Sequence, residues 1–415
     1  MFKKIALITG VDGILKVLAF LIIPIYLLWM PKEDFGEFGY ILAAIAMFPP
    51  ILTLGLYVPQ IRESSSSVDY EEKKKIFSTS FLTVFILMCG VFIILSISGF
   101  YIDFLTTIFA ISNNIDYKWL GFSVATFFST LNLLLYSHAL HFKQTSKIVK
   151  YNSLRFFASN ICGLGALYFG LGYADTSLDR LVGLAIGEVA LCAVSFLFLA
   201  KYYWSWKIDF PYLKNALKVG LPMVPGSIAA LVSSMSDRYF LSQYFGASYV
   251  AEFNLAMQFL LPLQMIMAGA QTIWAPHIYS VKDDDNALNE SMKFFLKLLI
   301  IFVVTIPMMT LIIFLSKYFN IIPATYYDTL WLVPLCSFGM IGLTLSTIPF
   351  NFFVRAGKTS WIAYISVLGA TLIVVGHALF IPKFGYFAGA LVGGLVNIFI
   401  LALSWRCVFL LNVKK

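Results

Sequence analysis

Long apolar segments, separated by short polar connectors, make up most of this chain. A segment of about 20 apolar residues is long enough to cross the hydrocarbon core of a bilayer as an α-helix. Read at this length, the pattern predicts about twelve membrane-spanning helices. They lie at residues 5–30, 38–57, 77–99, 118–138, 152–172, 181–202, 218–240, 250–276, 293–315, 328–352, 361–380 and 386–410. The chain is therefore predicted to be an all-α polytopic membrane protein.

The composition supports this class and limits the chemistry. Of the 415 residues, 60% are hydrophobic and only 12% are charged, whereas soluble domains carry about 25% charged residues. The five cysteines lie in apolar segments and are expected to pack there. His138 and His141 lack a nearby third ligand, and His377 is expected to be an ordinary hydrogen-bonded helix residue. The sequence thus predicts no cofactor and no metal site.

The distribution of basic residues predicts the orientation in the membrane. Of the lysines and arginines, 21 fall in the alternate connectors that include both chain ends, and six fall in the opposite connectors. Cytoplasmic loops carry the excess of basic residues in membrane proteins, so both termini are predicted to be cytoplasmic. The net charge of +8 is therefore interpreted as an orientation signal, and no nucleic-acid partner is expected.

Two charged residues, Asp12 and Lys16, interrupt the first apolar segment. A lysine near the middle of a bilayer costs roughly 2.5–3.5 kcal/mol, so it is expected to face a partner or a water-filled cavity. Two interpretations remain open. Because the residues are four apart with the acid first, they can neutralise each other between packed helices. The interpretation we favour places Lys16 in the wall of a polar cavity, because charges inside membranes mark functional sites.

Further polar residues lie inside later spans. Arg155 is about one turn into the fifth span, where a snorkelling interfacial arginine is the alternative to a functional one. Glu188, about two turns into the sixth span, either carries a proton or pairs with Arg155. Ser234 belongs to a small, polar face of the seventh span, and Asn254 and Gln258 share one face of the eighth. Asp237 and Arg238 are expected to form an interfacial charge pair at the outer end of the seventh span.

Short motifs recur about half a chain apart. Phe-Gly-Glu-Phe at 35–38 matches Val-Ala-Glu-Phe at 250–253, and Pro-Gln-Ile at 59–61 matches Pro-His-Ile at 276–278. Six spans in each half predict a parallel repeat about an axis along the membrane normal. We therefore predict an N-terminal six-helix bundle over residues 1–202 and a C-terminal one over residues 203–415.

Several motifs together resemble one family of transporters. They are Gly-Leu-Pro-Met-Val-Pro at 220–225, Ser-Asp-Arg-Tyr-Phe-Leu at 236–241, Phe-Gly at 245–246, Trp-Ala-Pro at 274–276, Asp-Phe-Gly-Glu-Phe-Gly at 34–39, Leu-Gly at 54–55, Arg62, Gly-Lys at 357–358, Ile-Pro-Lys-Phe-Gly at 381–385 and Gly-Ala at 389–390. In this spacing, over nearly the whole chain, the sequence resembles the Wzx-type O-antigen and polysaccharide flippases of the multidrug/oligosaccharidyl-lipid/polysaccharide (MOP) exporter superfamily.

The resemblance implies two six-helix bundles around a central cavity that opens alternately to each side. The implied cargo is an undecaprenyl-diphosphate-linked oligosaccharide, carried from the inner to the outer leaflet of the cytoplasmic membrane. Lys16 would then hold the diphosphate and Arg155 would draw the headgroup in from the cytoplasmic side. Ser234, Asn254 and Gln258 would meet sugar hydroxyls.

Asp12 and Glu188 are the candidates for ion coupling. Protonation of Asp12 would link to cargo binding if Lys16 exchanges this acid for the diphosphate. Beside the cargo, the partners implied are membrane lipids, a polysaccharide polymerase and a chain-length regulator.

Two other functions remain open. An ion-coupled multidrug or small-solute exporter of the same superfamily would favour acidic and aromatic cavity residues, and Lys16 disfavours it. A polysaccharide polymerase or glycosyltransferase would need catalytic side chains on a long outer loop, and every predicted outer connector is short. The chain is therefore predicted to be a carrier and not an enzyme, with no catalytic residues.

Overall fold

The computed structural model describes the chain over most of its length. It covers residues 2–66, 69–141, 145–172, 175–200, 203–261, 263–264, 271, 274, 277–278, 281, 283–319, 321–356 and 358–413. The side chains of some residues inside these helices lie outside the description, among them Asp12, Lys16, Arg62 and His141. Throughout the described residues the regular structure is helical, and no β-strand occurs in them.

The long helices follow one another with short connectors. They are α1 (Phe2–Trp29), α2 (Lys32–Leu52), α3 (Tyr57–Ser66), α4 (Tyr70–Ser98), α5 (Phe100–Phe109), α6 (Ile115–His141), α7 (Thr145–Phe169), α8 (Thr176–Ser195), α9 (Phe210–Gly220), α10 (Val224–Phe245), α11 (Ala247–Phe259), α12 (Asp284–Tyr318), α13 (Thr329–Arg355) and α14 (Thr359–Val413). A π-helical turn, Phe196–Ala200, extends α8. Inside α14, Gly385 has φ 61° and ψ −145°, which is non-helical and divides it into two helices.

Aspartates start four of these helices. The side chains of Asp69, Asp175, Asp209 and Asp283 each accept a hydrogen bond from a backbone N–H in the first turn of α4, α8, α9 and α12. An aspartate at this position satisfies one of the N–H groups that a helix leaves unpaired, which is worth about 1 kcal/mol. The polar connectors therefore hold the signals that begin the apolar helices.

Eight stretches of the described residues are long and apolar enough to cross a membrane. They are Lys32–Leu52, Tyr70–Ser98, Ile115–His138, Thr176–Phe198, Phe210–Phe245, Asp285–Tyr318, Trp331–Arg355 and Ser360–Leu410. The predicted spans outside this set lie on α1, α7 and α11, and the last stretch holds two predicted spans, joined across Gly385. The all-α membrane architecture is confirmed, while the count of twelve and the cytoplasmic termini stay predictions.

The chain forms two compact units. The first comprises Met1–Leu15 and Trp29–Leu231, and the second comprises Lys16–Leu28 and Val232–Lys415. Large apolar side chains fill the core of the first unit, among them Leu56 in the turn before α3, Phe77 and Met88 of α4, and Leu134 of α6. In the second unit, Phe302 and Phe353 are fully buried. The division predicted after residue 202 stays a prediction.

Glycines bring α7 and α8 into backbone contact within the first unit. A Cβ added to Gly183 would lie 2.5 Å from the carbonyl oxygen of Cys162, and one added to Gly187 would lie 2.8 Å from the carbonyl oxygen of Ala158. Small residues four apart allow membrane helices to approach this closely. The contact places Arg155 of α7 beside Glu188 of α8.

Candidate functional site

An arginine and a glutamate face each other near the middle of α7 and α8. The Arg155 Nη2 lies 3.8 Å from the Glu188 Oε1, so the predicted pairing is confirmed. The arginine side chain is 53% exposed, whereas that of the glutamate is only 6% exposed. One partner of this pair is therefore buried and the other remains accessible.

The helix that holds Arg155 begins earlier than the predicted span. Because α7 begins at Thr145 and not near residue 152, Arg155 is ten residues into its helix, or about 15 Å along the axis. The expectation of about one turn concerned the membrane span, whose start stays a prediction. Residues 145–151, with two lysines among them, continue the helix ahead of the apolar residues. Glu188 is likewise twelve residues into α8, so the pair lies far from both helix starts.

Buried hydrogen bonds hold Glu188 in place. The Asn132 Nδ2 donates to the Glu188 Oε2 at 2.6 Å and to its carbonyl oxygen at 3.1 Å. The Tyr151 hydroxyl donates to the carbonyl oxygen of Asn132 at 2.9 Å. The Asn132 Oδ1 is buried and has no hydrogen-bond partner among the described residues. Glu188 is thus an acceptor held by buried hydrogen bonds, and the more exposed guanidinium of Arg155 lies against it.

The weak pairing leaves Arg155 available to another anion. The Arg155 Nη2 and the Glu188 Oε1 are 3.8 Å apart and half of the arginine side chain is exposed, so donors on the exposed side of the guanidinium can reach a second anion. Arginine presents several N–H donors in a planar fork that matches phosphate oxygens. The arrangement can therefore bind a phosphate or carboxylate on the exposed side of the guanidinium without leaving the buried glutamate unsupported.

Lys16 and Asp12 both lie on α1, and their side chains are outside the described residues. The choice between a neutralised pair and a cavity-lining lysine therefore stays a prediction.

In the second unit, Arg238 donates hydrogen bonds to two of the predicted sugar-binding residues, Asn254 and Ser234. Its Nε donates to the Asn254 Oδ1 at 2.8 Å, and its Nη1 donates to the carbonyl oxygen of Ser234 at 2.8 Å and pairs with Asp237 at 3.1 Å. Gln258 follows Asn254 by one turn of α11 and is partly buried. The expected charge pair of Asp237 and Arg238 is present, and only 12% of the Arg238 side chain and 14% of the Asp237 side chain are exposed; its place at the membrane interface stays a prediction.

Sequence reasoning thus missed Arg238 as the centre of this cluster. Its partner Asn254 stands on the next helix, and only the fold brings the two together. The signal available was the polar face of α10, on which Ser234 and Asp237 had already been singled out. Contact with sugar hydroxyls stays a prediction for Ser234, Asn254 and Gln258.

The acidic residues of the Asp-Phe-Gly-Glu-Phe-Gly motif join three helices of the first unit. The buried Lys118 of α6 binds Glu37 of α2 at 2.5 Å and Asp175, the cap of α8, at 3.0 Å. Asp34 accepts hydrogen bonds from the backbone N–H and hydroxyl of Thr176. In the second unit the matching Glu252 occupies the same position of α11 as Glu37 does of α2, five residues after the helix start. The motif therefore has a structural role in the first unit.

The same contacts shift the acidity of Asp175, which precedes α8. Burial by itself raises the pKa of this carboxyl, but hydrogen bonds outweigh burial and hold the pKa below its usual 3.8. The donors are Asn114, the backbone N–H of Leu178, Lys118 and Ser177. Asp175 is therefore a carboxylate that helps to order this end of the first unit.

His377 lies inside the second unit and is 2% exposed. Its Nδ1 lies 2.6 Å from the Ser236 Oγ, and its Nε2 lies 3.2 Å from the carbonyl oxygen of Gly389. The expectation of a hydrogen-bonded helix residue is confirmed.

Comparisons with known proteins identify a family and a fold. The model of a family described as "Polysaccharide biosynthesis protein" matches residues 1–282. A search of curated proteins found no match. Among solved structures, the lipid II flippase MurJ in an inward closed conformation superposes with a TM-score of 0.71 at 16% identity, over 100% of this chain and 91% of that one.

Two further structures share the fold. An inward-facing multidrug resistance transporter of the MATE family, in the MOP superfamily, has a TM-score of 0.66 at 12% identity, over 97% of this chain and 94% of that one. A MOP superfamily transporter from Pyrococcus furiosus, with a binding pocket of reverse polarity, has a TM-score of 0.67 at 12% identity, over 99% and 96%. The fold is therefore that of MOP transporters, as the motifs had indicated.

Proposed function

This chain belongs to the polysaccharide biosynthesis protein family, and from that premise we propose that it is a flippase for lipid-linked oligosaccharides. The cargo is an undecaprenyl-diphosphate-linked repeat unit of an O-antigen, capsule or exopolysaccharide. The protein carries it by alternating access from the cytoplasmic to the outer leaflet of the inner membrane. A polysaccharide polymerase and a chain-length regulator are the partners expected to act on the product.

The observation that carries the proposal is the agreement of family and fold. A polysaccharide biosynthesis family matches most of the chain, and the whole chain folds like a lipid II flippase. A carrier of this class must draw a diphosphate away from water. Two negative charges leave water only when cations and donors replace their hydration.

Among the described residues of the first unit, Arg155 is suited to bind the diphosphate of the cargo. Its guanidinium is half exposed, deep in α7, and only weakly paired with Glu188. We propose that the diphosphate binds the exposed side of this guanidinium while Glu188 keeps its contact, because hydrogen bonds from arginine to phosphate are charge-assisted and often bidentate. Lys16 supplies a second cation in this proposal.

The test uses a deletion strain in the native host, complemented with variants at matched expression. In the deletion strain, lipid-linked repeat units should accumulate in the inner leaflet. Losing a hydrogen bond to a charged group costs about 1.5–3 kcal/mol, so Arg155→Ala should weaken transport roughly ten- to hundred-fold. Arg155→Lys should retain part of the transport because it keeps the charge.

Lys150→Ala is the matched control, since Lys150 is an exposed cation on the same helix. Its transport should equal that of the wild type. Lys16→Ala is tested in parallel. If both Arg155→Ala and Lys16→Ala restore wild-type leaflet distribution, neither cation serves the cargo. If the deletion strain shows no inner-leaflet accumulation at all, the flippase function itself is wrong.

A second candidate is an ion-coupled multidrug or small-solute exporter. The fold likeness to a multidrug resistance transporter favours it. Drug susceptibility of the deletion strain tests it directly. Increased susceptibility together with a normal distribution of lipid-linked repeat units would support this alternative over the flippase.

A further inference from the structure

The hydrogen bonds of His377 can accommodate a ring with or without an extra proton. The Nε2 must carry a hydrogen in both cases, because the Gly389 carbonyl oxygen can only accept. In the neutral ring, Nδ1 is then an acceptor, and the Ser236 hydroxyl donates to it over 2.6 Å. Every polar atom of this contact is satisfied in the neutral state.

Protonation of Nδ1 requires only a rotation of the serine hydroxyl. The Nδ1–H then donates to the Ser236 Oγ, and the hydroxyl hydrogen turns to the carbonyl oxygen of Ser233, which lies 3.4 Å from that Oγ. No buried donor or acceptor of this contact loses its partner in either state, so the cost of an unsatisfied buried group is avoided. The proton adds to the nitrogen lone pair, so no other bond forms or breaks.

Burial of the ring opposes its charged state, and the charged groups around it offset this only in part. On α10, Asp237 acts electrostatically on His377, and its own partner Arg238 makes that pair neutral overall. On α13, Cys336 lies within the field of the same two residues. The next acids, Glu252 of α11 and Asp328 before α13, act on Tyr386. A proton on His377 thus adds one positive charge near Asp237, whose negative charge Arg238 already compensates.

We propose that His377, with Ser236 as its hydroxyl partner, is a proton-binding site of the second unit. We further propose that proton uptake and release at this ring is coupled to transport, and this second part rests on the proposed function. The site would then be the place where the cycle senses the proton gradient. It lies on different helices from Arg155, the residue assigned above to the cargo.

Proton binding is tested without transport, on the purified full-length protein labelled with ¹³C at the histidine Cε1. The chain has four histidines, and His377→Gln identifies the signal of His377. That signal should titrate between about pH 5 and 8, the range in which histidine changes charge. A signal that stays in one protonation state across this range overturns the proposal.

Ser236→Ala tests the hydroxyl partner. Without it, the buried Nδ1–H of the charged ring has no acceptor, and hydrogen bonds to charged groups are the stronger ones. The proton affinity of His377 should fall at least tenfold. Ser227→Ala is the matched control, because the Ser227 hydroxyl donates to the carbonyl oxygen of Met223, just before the start of α10, and belongs to no contact of His377 among the described residues. Equal titrations in the two variants would overturn the role of Ser236.

Coupling is tested in proteoliposomes with lipid-linked oligosaccharide as the probe. Transport by the wild type should depend on pH, and His377→Gln should remove that dependence. His277→Gln should retain it, since His277 is exposed and pairs with Glu290. Unchanged pH dependence in His377→Gln overturns the coupling. If wild-type protein moves no lipid while His377 still titrates, the proposed function fails and the proton site stands.

Discussion

Replacing Lys118 with methionine should destabilise the first unit, because this lysine is the cation that joins α2, α6 and α8. Its side chain is 3% exposed and contacts two carboxylates, Glu37 at 2.5 Å and Asp175 at 3.0 Å. Methionine has a similar length and fills the same space without a charge. The substitution therefore tests the ionic contacts more than the packing.

The expected loss follows from the burial of the three groups. Removing one partner of a buried ion pair costs about 3–5 kcal/mol, because the remaining charge is left without compensation. Glu37 and Asp175 are 19% and 13% exposed, so water can reach them in part, and we take the lower end of about 3 kcal/mol. Asp175 keeps the hydrogen bonds of Asn114 and of its helix cap. Glu37 keeps one hydrogen bond, from the Ser177 hydroxyl at 2.6 Å, so the larger part of the loss should come from Glu37.

Thermal unfolding of the detergent-purified protein, followed by size-exclusion fluorescence, measures this loss. For a unit of about 200 residues, 3 kcal/mol corresponds to roughly 6–12 °C in melting temperature. Adding Glu37→Gln to Lys118→Met should recover about half of it, because the uncompensated charge is then gone. Lys150→Met controls for loss of an exposed lysine in the same unit and should shift the melting temperature little.

A melting temperature of Lys118→Met within the range of the Lys150→Met control would refute this reasoning. So would a double variant that is less stable than Lys118→Met alone, since the charge of Glu37 would then not be the source of the loss.

Two further predictions concern the same unit. Because the pKa of Asp175 is lowered in the folded protein, its stabilising contribution is present above about pH 4 and is lost as the pH falls through the folded pKa. Asp175→Asn should therefore flatten the loss of stability on acidification below pH 4, and an unchanged acid profile would contradict this. Gly183→Ala should cost about 1–3 kcal/mol, because its Cβ would lie 2.5 Å from the Cys162 carbonyl oxygen. Gly165→Ala has open space around its Cβ and should unfold like the wild type. Equal melting temperatures for the two alanine variants would mean that the helices separate easily.

Apolar segment lengths predicted the fold class and most helix positions. The helix starts were less certain, since a helix continues through polar residues until a cap or a turn ends it. Residues 145–151, before the fifth predicted span, show this, because they include two lysines and yet belong to α7, so that Arg155 is ten residues into the helix. The eight apolar stretches differ from the twelve predicted spans for a similar reason. In α1, α7 and α11, either charged residues lower the mean hydropathy or the apolar part is too short to meet the length needed to cross a membrane.

The candidate sites could be predicted only as single residues. The pairing of Arg155 with Glu188 was within reach, because two opposite charges inside neighbouring spans have few alternatives. The role of Asn132 behind Glu188 and that of Arg238 beside Asn254 depend on contacts between distant parts of the chain. Nothing in the local pattern distinguishes these residues from ordinary helix-packing polar residues.

The glycine contacts of α8 determine how the cationic end of the proposed cargo site can move. Gly183 and Gly187 press this helix against the backbone of α7, so sliding or rotating one helix past the other would force atoms into overlap. Arg155 and Glu188 must therefore move together, because α7 and α8 form one rigid helix pair. Any rearrangement that exposes the guanidinium to a new environment has to bend the chain in the segments on either side of that pair.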